Sequence, residues 1–267
     1  MSVATPSTEV LERAAGASTL LVATDFDGVL APFDSDPMAV APVPGTIDTL
    51  RSMAALPHVH VAVVSGRDLE TLRALTGLTA DEEIVLIGSH GAESSSAAVR
   101  EAMEAAAVTP DDEATLAELR SDIEALVEES HPEAHIEYKS AAVVVHVRGL
   151  PREVGDAAIA DARRVALDHS GVKVLKGKSV LELSVSHADK GSAVTALGRH
   201  VGATARVYLG DDVTDEDAFM RMTRPEDVTV KVGTGSTAAH YRVDDELAVA
   251  ELLSELCRLA SAARVTG

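Results

Sequence analysis

The chain has 267 residues and a formal charge of −20, from 43 acidic against 23 basic side chains, which excludes nucleic acid and anionic membrane surfaces as partners, since both need basic patches. Hydrophobic residues make up 46% of it, but there are only three Phe, three Tyr and no Trp, so one domain, or one with a modest insertion, must be packed largely from Ala, Val and Leu. Cys257 is the single cysteine, the first 18 residues lack a basic-then-apolar leader, and no apolar run approaches a membrane span; a disulfide-free cytoplasmic protein is expected.

The first predicted strand, Ser18–Thr24, runs into Asp25-Phe26-Asp27-Gly28-Val29-Leu30. In extended backbone, residues two apart point the same way, so Asp25 and Asp27 emerge together at a strand end, where open α/β sheets bind ligands. Like charges that close are costly unless a cation or phosphate chemistry uses them. The plainer reading is a pair of solvated loop charges or helix caps. Pro32, Pro37, Pro42 and Pro44 make the following stretch a loop. A helix over Gly45–Ala55, a strand over Val59–Val64, a helix over Asp68–Leu75 and a strand over Ile84–Ile87 follow. This alternation predicts a parallel sheet covered by helices. Ser65-Gly66-Arg67, after the second strand, offers a hydroxyl and a guanidinium suited to phosphate oxygens, or an ordinary turn with Ser65 as the cap.

Between Ala92 and Ser186 the pattern changes. Helical spacing over Asp111–Glu129 is followed by strands Ala134–Lys139 and Ala142–Arg148, a helix Arg152–His169, and strands Val172–Leu175 and Val180–Val185. That order describes a separate α+β unit. The first style then returns, with a helix Lys190–Val201, a strand Arg206–Leu209, a helix Asp215–Met222, a strand Val228–Val232 and a helix Asp245–Ala262. Cys257 falls on the apolar stripe of the last of these, a core position. The acidic run Asp211 to Asp217 holds a hard cation or, more simply, caps a helix and favours its dipole. It is not an EF-hand, because its sixth and twelfth positions are Glu216 and Met222. No His/Cys set has zinc spacing.

Taken in order, Asp25-x-Asp27-Gly28-x-Leu30, Ser65, Lys190 and Gly210-Asp211-Asp212 resemble the four motifs of the haloacid dehalogenase superfamily of phosphatases. Gly210-Asp211-Asp212-x-Thr214-Asp215-Glu216 looks like the fourth motif of its trehalose-6-phosphate phosphatases. Ser65-Gly66-Arg67, Gly88-Ser89-His90-Gly91, Glu137-Tyr138-Lys139 and His146-Val147-Arg148 are similar to further signatures of that family. Two departures stand out: Val29 where the family usually has Thr, and no proline after Leu181–Val185.

The resemblance implies a Rossmann-like parallel-sheet core (residues 1–105 and 187–267) with an inserted α+β cap domain (residues 106–186). It implies Mg²⁺-dependent hydrolysis of trehalose 6-phosphate through an aspartyl-phosphate, by a monomer acting on a small sugar phosphate. Asp25 would be the nucleophile and Asp27 the general acid–base, with Ser65 and Lys190 holding the phosphoryl group. Mg²⁺ would be held by Asp25, the Asp27 carbonyl, Asp211 and Asp212, with Asp215 a further candidate. Arg67, His90, Lys139, His146, Arg148 and Glu182 would bind substrate, whereas Lys176 and Lys178 read as solvated turn charges. Two alternatives stay open: a phosphatase of another sugar phosphate, such as sucrose phosphate or mannosyl-phosphoglycerate, and a non-catalytic sugar-phosphate-binding domain.

Overall fold

The computed structural model describes residues 4–79, 81–104, 109–139, 141–177, 179–185 and 189–265. Contacts divide the chain into two units, Met1–Ala105 with Ala188–Gly267, and Ala106–His187.

In the first unit the elements are α1 (Thr8–Ala15), β1 (Leu20–Thr24), α2 (Thr46–Ala54), β2 (Val59–Val64), α3 (Leu69–Thr76), β3 (Ile84–Gly88), β4 (Glu93–Ser94) and α4 (Ala97–Glu104). The second unit holds α5 (Pro110–Ser130), β5 (His135–Lys139), β6 (Ala142–His146), α6 (Arg152–Leu167), β7 (Lys173–Gly177) and β8 (Val180–Ser184). The chain returns to the first with α7 (Lys190–His200), β9 (Ala205–Gly210), α8 (Glu216–Arg221), β10 (Val228–Val232), β11 (Tyr241–Val243) and α9 (Glu246–Val265).

β1 is apolar but for its last residue and buried throughout, as a strand covered on both faces must be. It lies at the centre of a seven-stranded sheet ordered β11-β10-β9-β1-β2-β3-β4, parallel except for β4. Alternate residues serve opposite layers. Leu20 and Val22 pack with Leu50, Leu252 and Leu256 of α2 and α9, whereas Leu21 and Ala23 pack with Ala193, Val194 and Leu197 of α7 and with Phe219 of α8. Cys257 is half-buried against the first of these layers, its thiol pushed up by burial.

In the second unit α5 and α6 cover one face of an antiparallel sheet ordered β5-β6-β8-β7. The helices contribute Leu119, Ile123, Ala158 and Ala162, and the strands Val143, Val145, Leu181 and Leu183. Thr109 and Asp112 form a capping box that starts α5, with Pro110 as its first residue. Two histidine–aspartate pairs tie the helices together, His131 to Asp161 at 2.8 Å and His169 to Asp122 at 3.0 Å.

Several elements differ from expectation. The helix α1 was not anticipated: its buried face is only Leu11, Ala14 and Ala15, and packing beneath α9 stabilises it. β4, α4 and β11 were also not anticipated; the two residues of β4 and three of β11 are too few for a sequence period, and α4 is a helix of only eight residues. β6 stops at His146: the Val147 amide still makes the next ladder bond, to the Ser179 carbonyl, but Ser179 has left-handed backbone at φ 65° and its strand begins only at Val180. Arg148 is thus an exposed turn residue and does not share a strand face with His146. Lys176 is exposed but lies in β7, paired with Leu181, rather than in a turn; Lys178 lies outside the described residues. Among the described residues no helix is long and apolar enough to cross a membrane.

Candidate active site

The loops that follow β1, β2 and β9 leave the same, carboxyl end of the sheet, and the parallel register of the strands sets their ends side by side. After β1, Asp25 is 4% exposed; its amide bonds the Leu209 carbonyl and its Oδ1 accepts the Phe26 amide at 2.6 Å. Phe26, Val29 and Leu30 plug the turn into the core. A hydroxyl at position 29 would therefore have to find a partner among apolar side chains. Gly28 has φ +70° and lies so close to Asp211 that a Cβ there would be 2.3 Å from its Oδ2.

After β2, Ser65 is fully buried, and its Oγ accepts the Arg67 amide at 3.1 Å. The cap of α3 is not Ser65 but Asp68, which takes the Thr71 amide. Arg67 grips Asp27 as a fork, Nε to Oδ2 at 2.7 Å and a terminal nitrogen to Oδ1 at 2.6 Å, and its other terminal nitrogen reaches the Pro37 carbonyl. The Asp27 bond holds the guanidinium pKa above its usual value.

After β3, Ser89 and His90 both adopt left-handed backbone, at φ 49° and 55°, a conformation that costs a side-chain-bearing residue about 1–2 kcal/mol. Hydrogen bonds hold them: the Ser89 amide to the Arg67 carbonyl, the His90 amide to the Ser65 carbonyl, and the Ser89 hydroxyl to Glu93. His90 consequently lies against Gly66, where a Cβ would be 2.5 Å from its ring.

Lys190 opens α7 behind the Asp189 cap and is 2% exposed. Its Nζ donates to Asp25 Oδ2 at 2.6 Å and Asp215 Oδ1 at 2.9 Å. Asp215 Oδ2 in turn accepts the amides of Asp211 and Asp212, each at 2.9 Å, and Tyr208 donates its hydroxyl to Oδ1 at 2.7 Å. Asp212, which is exposed, caps the Val213 amide with its Oδ1 at 2.6 Å. Lys231 donates to the Asp211 carbonyl, fixing the loop from the other side.

Burial raises Asp25 well above the ordinary carboxylate range, against the opposing charge of Lys190. Burial also opposes the charge on Lys190, but Asp25 and Asp215 outweigh it and its pKa is raised. Asp211 is pushed up to about 6 by burial and by Asp215.

Carboxylate oxygens of Asp25, Asp211 and Asp215 lie within 4.8 Å of one another. Asp211 Oδ1 is buried with no hydrogen-bond partner. An all-oxygen set with an unpartnered buried acceptor fits a hard divalent cation. The Asp27 carboxylate is turned to Arg67, which does not involve the backbone carbonyl expected as its ligand atom, and one Asp212 oxygen caps the Val213 amide.

In the second unit, taken by itself, one sheet face brings together Lys139 with Glu182 (2.8 Å) and His146 with Glu137 (2.7 Å). Sequence reasoning did not find Tyr208 or Glu93. Nothing in the sequence separates Tyr208 from its apolar strand neighbours, while Glu93 lies two residues beyond Gly88-Ser89-His90-Gly91 and carries no signal of its own.

The trehalose-phosphatase family description matches residues 23–247. Trehalose-phosphate phosphatases of Mycolicibacterium paratuberculosis and Mycobacterium tuberculosis are each 34% identical over 248 residues, covering 87% and 88% of this chain. The chain spans 60% of the length of these relatives. A solved trehalose-6-phosphate phosphatase of Aspergillus fumigatus, 24% identical, shares the fold with a TM-score of 0.69 over 96% of this chain and 99% of that one.

Proposed function

Because the chain belongs to the trehalose-phosphatase family, we propose that it hydrolyses trehalose 6-phosphate to trehalose and phosphate, in the cytoplasm and with Mg²⁺ as cofactor. The observation that carries the reading is the buried Lys190 ammonium shared between Asp25 and Asp215.

An Asp25 oxygen attacks phosphorus and forms an aspartyl-phosphate as the bond from phosphorus to the sugar oxygen breaks. Asp27 gives a proton to that leaving oxygen; in the second half it takes one from the water that attacks the phosphoryl group, releasing phosphate and restoring Asp25. Arg67 takes one acceptor site on each Asp27 oxygen, which orients the carboxyl and leaves the second lone pair of each oxygen for the proton it carries. Two of the three Lys190 protons are engaged by Asp25 and Asp215, and the third serves a phosphoryl oxygen. The Ser65 oxygen accepts from Arg67, which leaves its own proton for another phosphoryl oxygen.

Asp25, Asp211 and the Asp27 backbone carbonyl would hold Mg²⁺, with Asp215, already accepting four hydrogen bonds, as the brace behind them. When bound, the metal offsets the repulsion between the carboxylates and a dianionic phosphate. The second unit is assigned as the cap that selects the sugar. Lys139, Glu182, His146 and Glu137 place donors and acceptors on one sheet face, as pyranose hydroxyls require, with Arg148 on the turn that follows; in the first unit, His90 is a separate candidate for substrate contact.

Phosphate release from a panel of sugar phosphates, with and without Mg²⁺, tests the reading. Preference for trehalose 6-phosphate, abolished in Asp25→Asn and by chelator, is expected. Turnover of a different sugar phosphate would discard the substrate assignment and keep the chemistry. Binding of trehalose 6-phosphate without turnover would discard the chemistry and favour a non-catalytic sugar-phosphate-binding domain.

A further inference from the structure

Tyr208 makes a contact that the proposed chemistry leaves unused. It stands on β9, level with Ala23 of β1 and Thr229 of β10, fully buried and edge-on to Phe219 with ring centroids 5.8 Å apart. Leu21, Ala23, Val64, Ala193 and Val194 of the same packed layer are apolar. A phenylalanine would fill such a place without burying a hydroxyl, and a buried hydroxyl is costly unless it has a partner. Here the partner is Asp215 Oδ1, 2.7 Å away, the same oxygen that accepts Lys190.

Asp215 thus collects four donors: an ammonium, a phenol and two amides. The Lys190 ammonium is in turn divided, 2.9 Å from Asp215 and 2.6 Å from Asp25. We propose that Tyr208 is a positioning residue, whose hydroxyl satisfies part of the Asp215 charge so that Lys190 stays on Asp25 and the Asp211–Asp212 backbone stays anchored. Without that hydroxyl, Lys190 is the one remaining partner of Asp215 Oδ1 among the described residues. Coulomb attraction in a buried setting then draws the ammonium away from Asp25, or the carboxylate turns and releases the amides. The proposal rests on the reading of Asp25 as the nucleophile.

Tyr208→Phe keeps the ring and removes one oxygen. Phe219→Leu, as a control, disturbs the same packing and leaves the hydroxyl in place. The expected result for Tyr208→Phe is a fall in kcat of about 10- to 100-fold, the range for one lost hydrogen bond to a charged group, with KM for trehalose 6-phosphate within about twofold. Amide hydrogen exchange at Asp211 and Asp212, measured by NMR on the metal-free protein, should accelerate about tenfold or more, since a freed amide loses the protection of its bond. Phe219→Leu should leave kcat and both amides within about threefold of wild type once assayed well below its melting temperature. An unchanged kcat in Tyr208→Phe overturns the proposal. So does an equal loss in both variants, which would make the effect one of packing. If the wild type turns over no sugar phosphate, the functional reading falls by itself, and the exchange comparison alone decides whether Tyr208 anchors the loop.

Discussion

Replacing Lys190 by methionine keeps the unbranched apolar stem and deletes the ammonium. Asp25 and Asp215, whose side chains are 6% and 0% exposed, then face each other with no cation between them. Removing one partner of a buried ion pair costs about 3–5 kcal/mol, because the other charge is left unpaired. For a chain of this size each kcal/mol corresponds to about 2–4 °C, so the melting temperature of the metal-free protein should fall by about 6–20 °C at neutral pH. The direction with pH is also fixed. Carboxylates buried without a cation have folded-state pKa values above their unfolded ones. Their protonated forms favour the fold, so the deficit is largest at high pH and shrinks as pH falls through the raised values. Thermal melts in chelator from pH 8 down to pH 5 read both effects. Adding Asp215→Asn should restore part of the loss by removing one of the stranded charges. A melting temperature within about 2 °C of wild type at pH 8 would refute the argument, as would a deficit that grows on acidification.

Three further outcomes are expected. Asp211, pushed up to about 6 by burial, places protons in competition with the metal, so apparent Mg²⁺ affinity should fall about tenfold per pH unit below about 6 and level off above it; in metal-free protein the same group adds stability as pH falls from 7 toward 4. Calorimetric titration at pH 5, 6 and 7 checks this, and a flat affinity would contradict it. Gly28→Ala introduces a Cβ 2.3 Å from Asp211 Oδ2 at a backbone φ of +70°; turnover and Mg²⁺ affinity should both fall by about tenfold or more, with about 1 kcal/mol or more of lost stability, and wild-type phosphate release would disprove the close approach. Arg67→Lys cannot reproduce the two-pronged grip on Asp27, so kcat should drop about as far as in Arg67→Ala, and full turnover with lysine would show that the fork is dispensable.

Much of the first unit was legible because fully buried strands announce themselves: Val59–Val64 and Val228–Val232 are observed at the residues expected of them. Capping chemistry was less readable. Ser65, a plausible cap by type, instead faces the Arg67 amide, and Asp68 does the capping. The acidic run of the fourth motif shows the limit most clearly. Asp211, Asp212 and Asp215 are equivalent as letters, and only the fold decides that Asp212 turns to its own backbone while Asp215 is enclosed by Tyr208 and Lys190. Arg67 illustrates the same point, since its nearest carboxylate is 40 residues away in the chain. Lengths and periods identify elements; which of several like charges meet is settled by packing between distant segments.

The place of β1 in the sheet has a consequence for how the polypeptide is made. One edge of β1 is covered by β2, which follows it closely, but the other pairs with β9, from Leu20↔Ala205 to Thr24↔Leu209. The whole of the second unit is synthesised in between. On a ribosome, the first three parallel strands therefore emerge with an apolar strand bare along one side, and they wait for residues 205–210 before that side is closed. An open hydrophobic edge of this kind is a template for wrong partners. The nascent chain should thus be most prone to aggregate, and most in need of a chaperone, while residues 106–187 are being added.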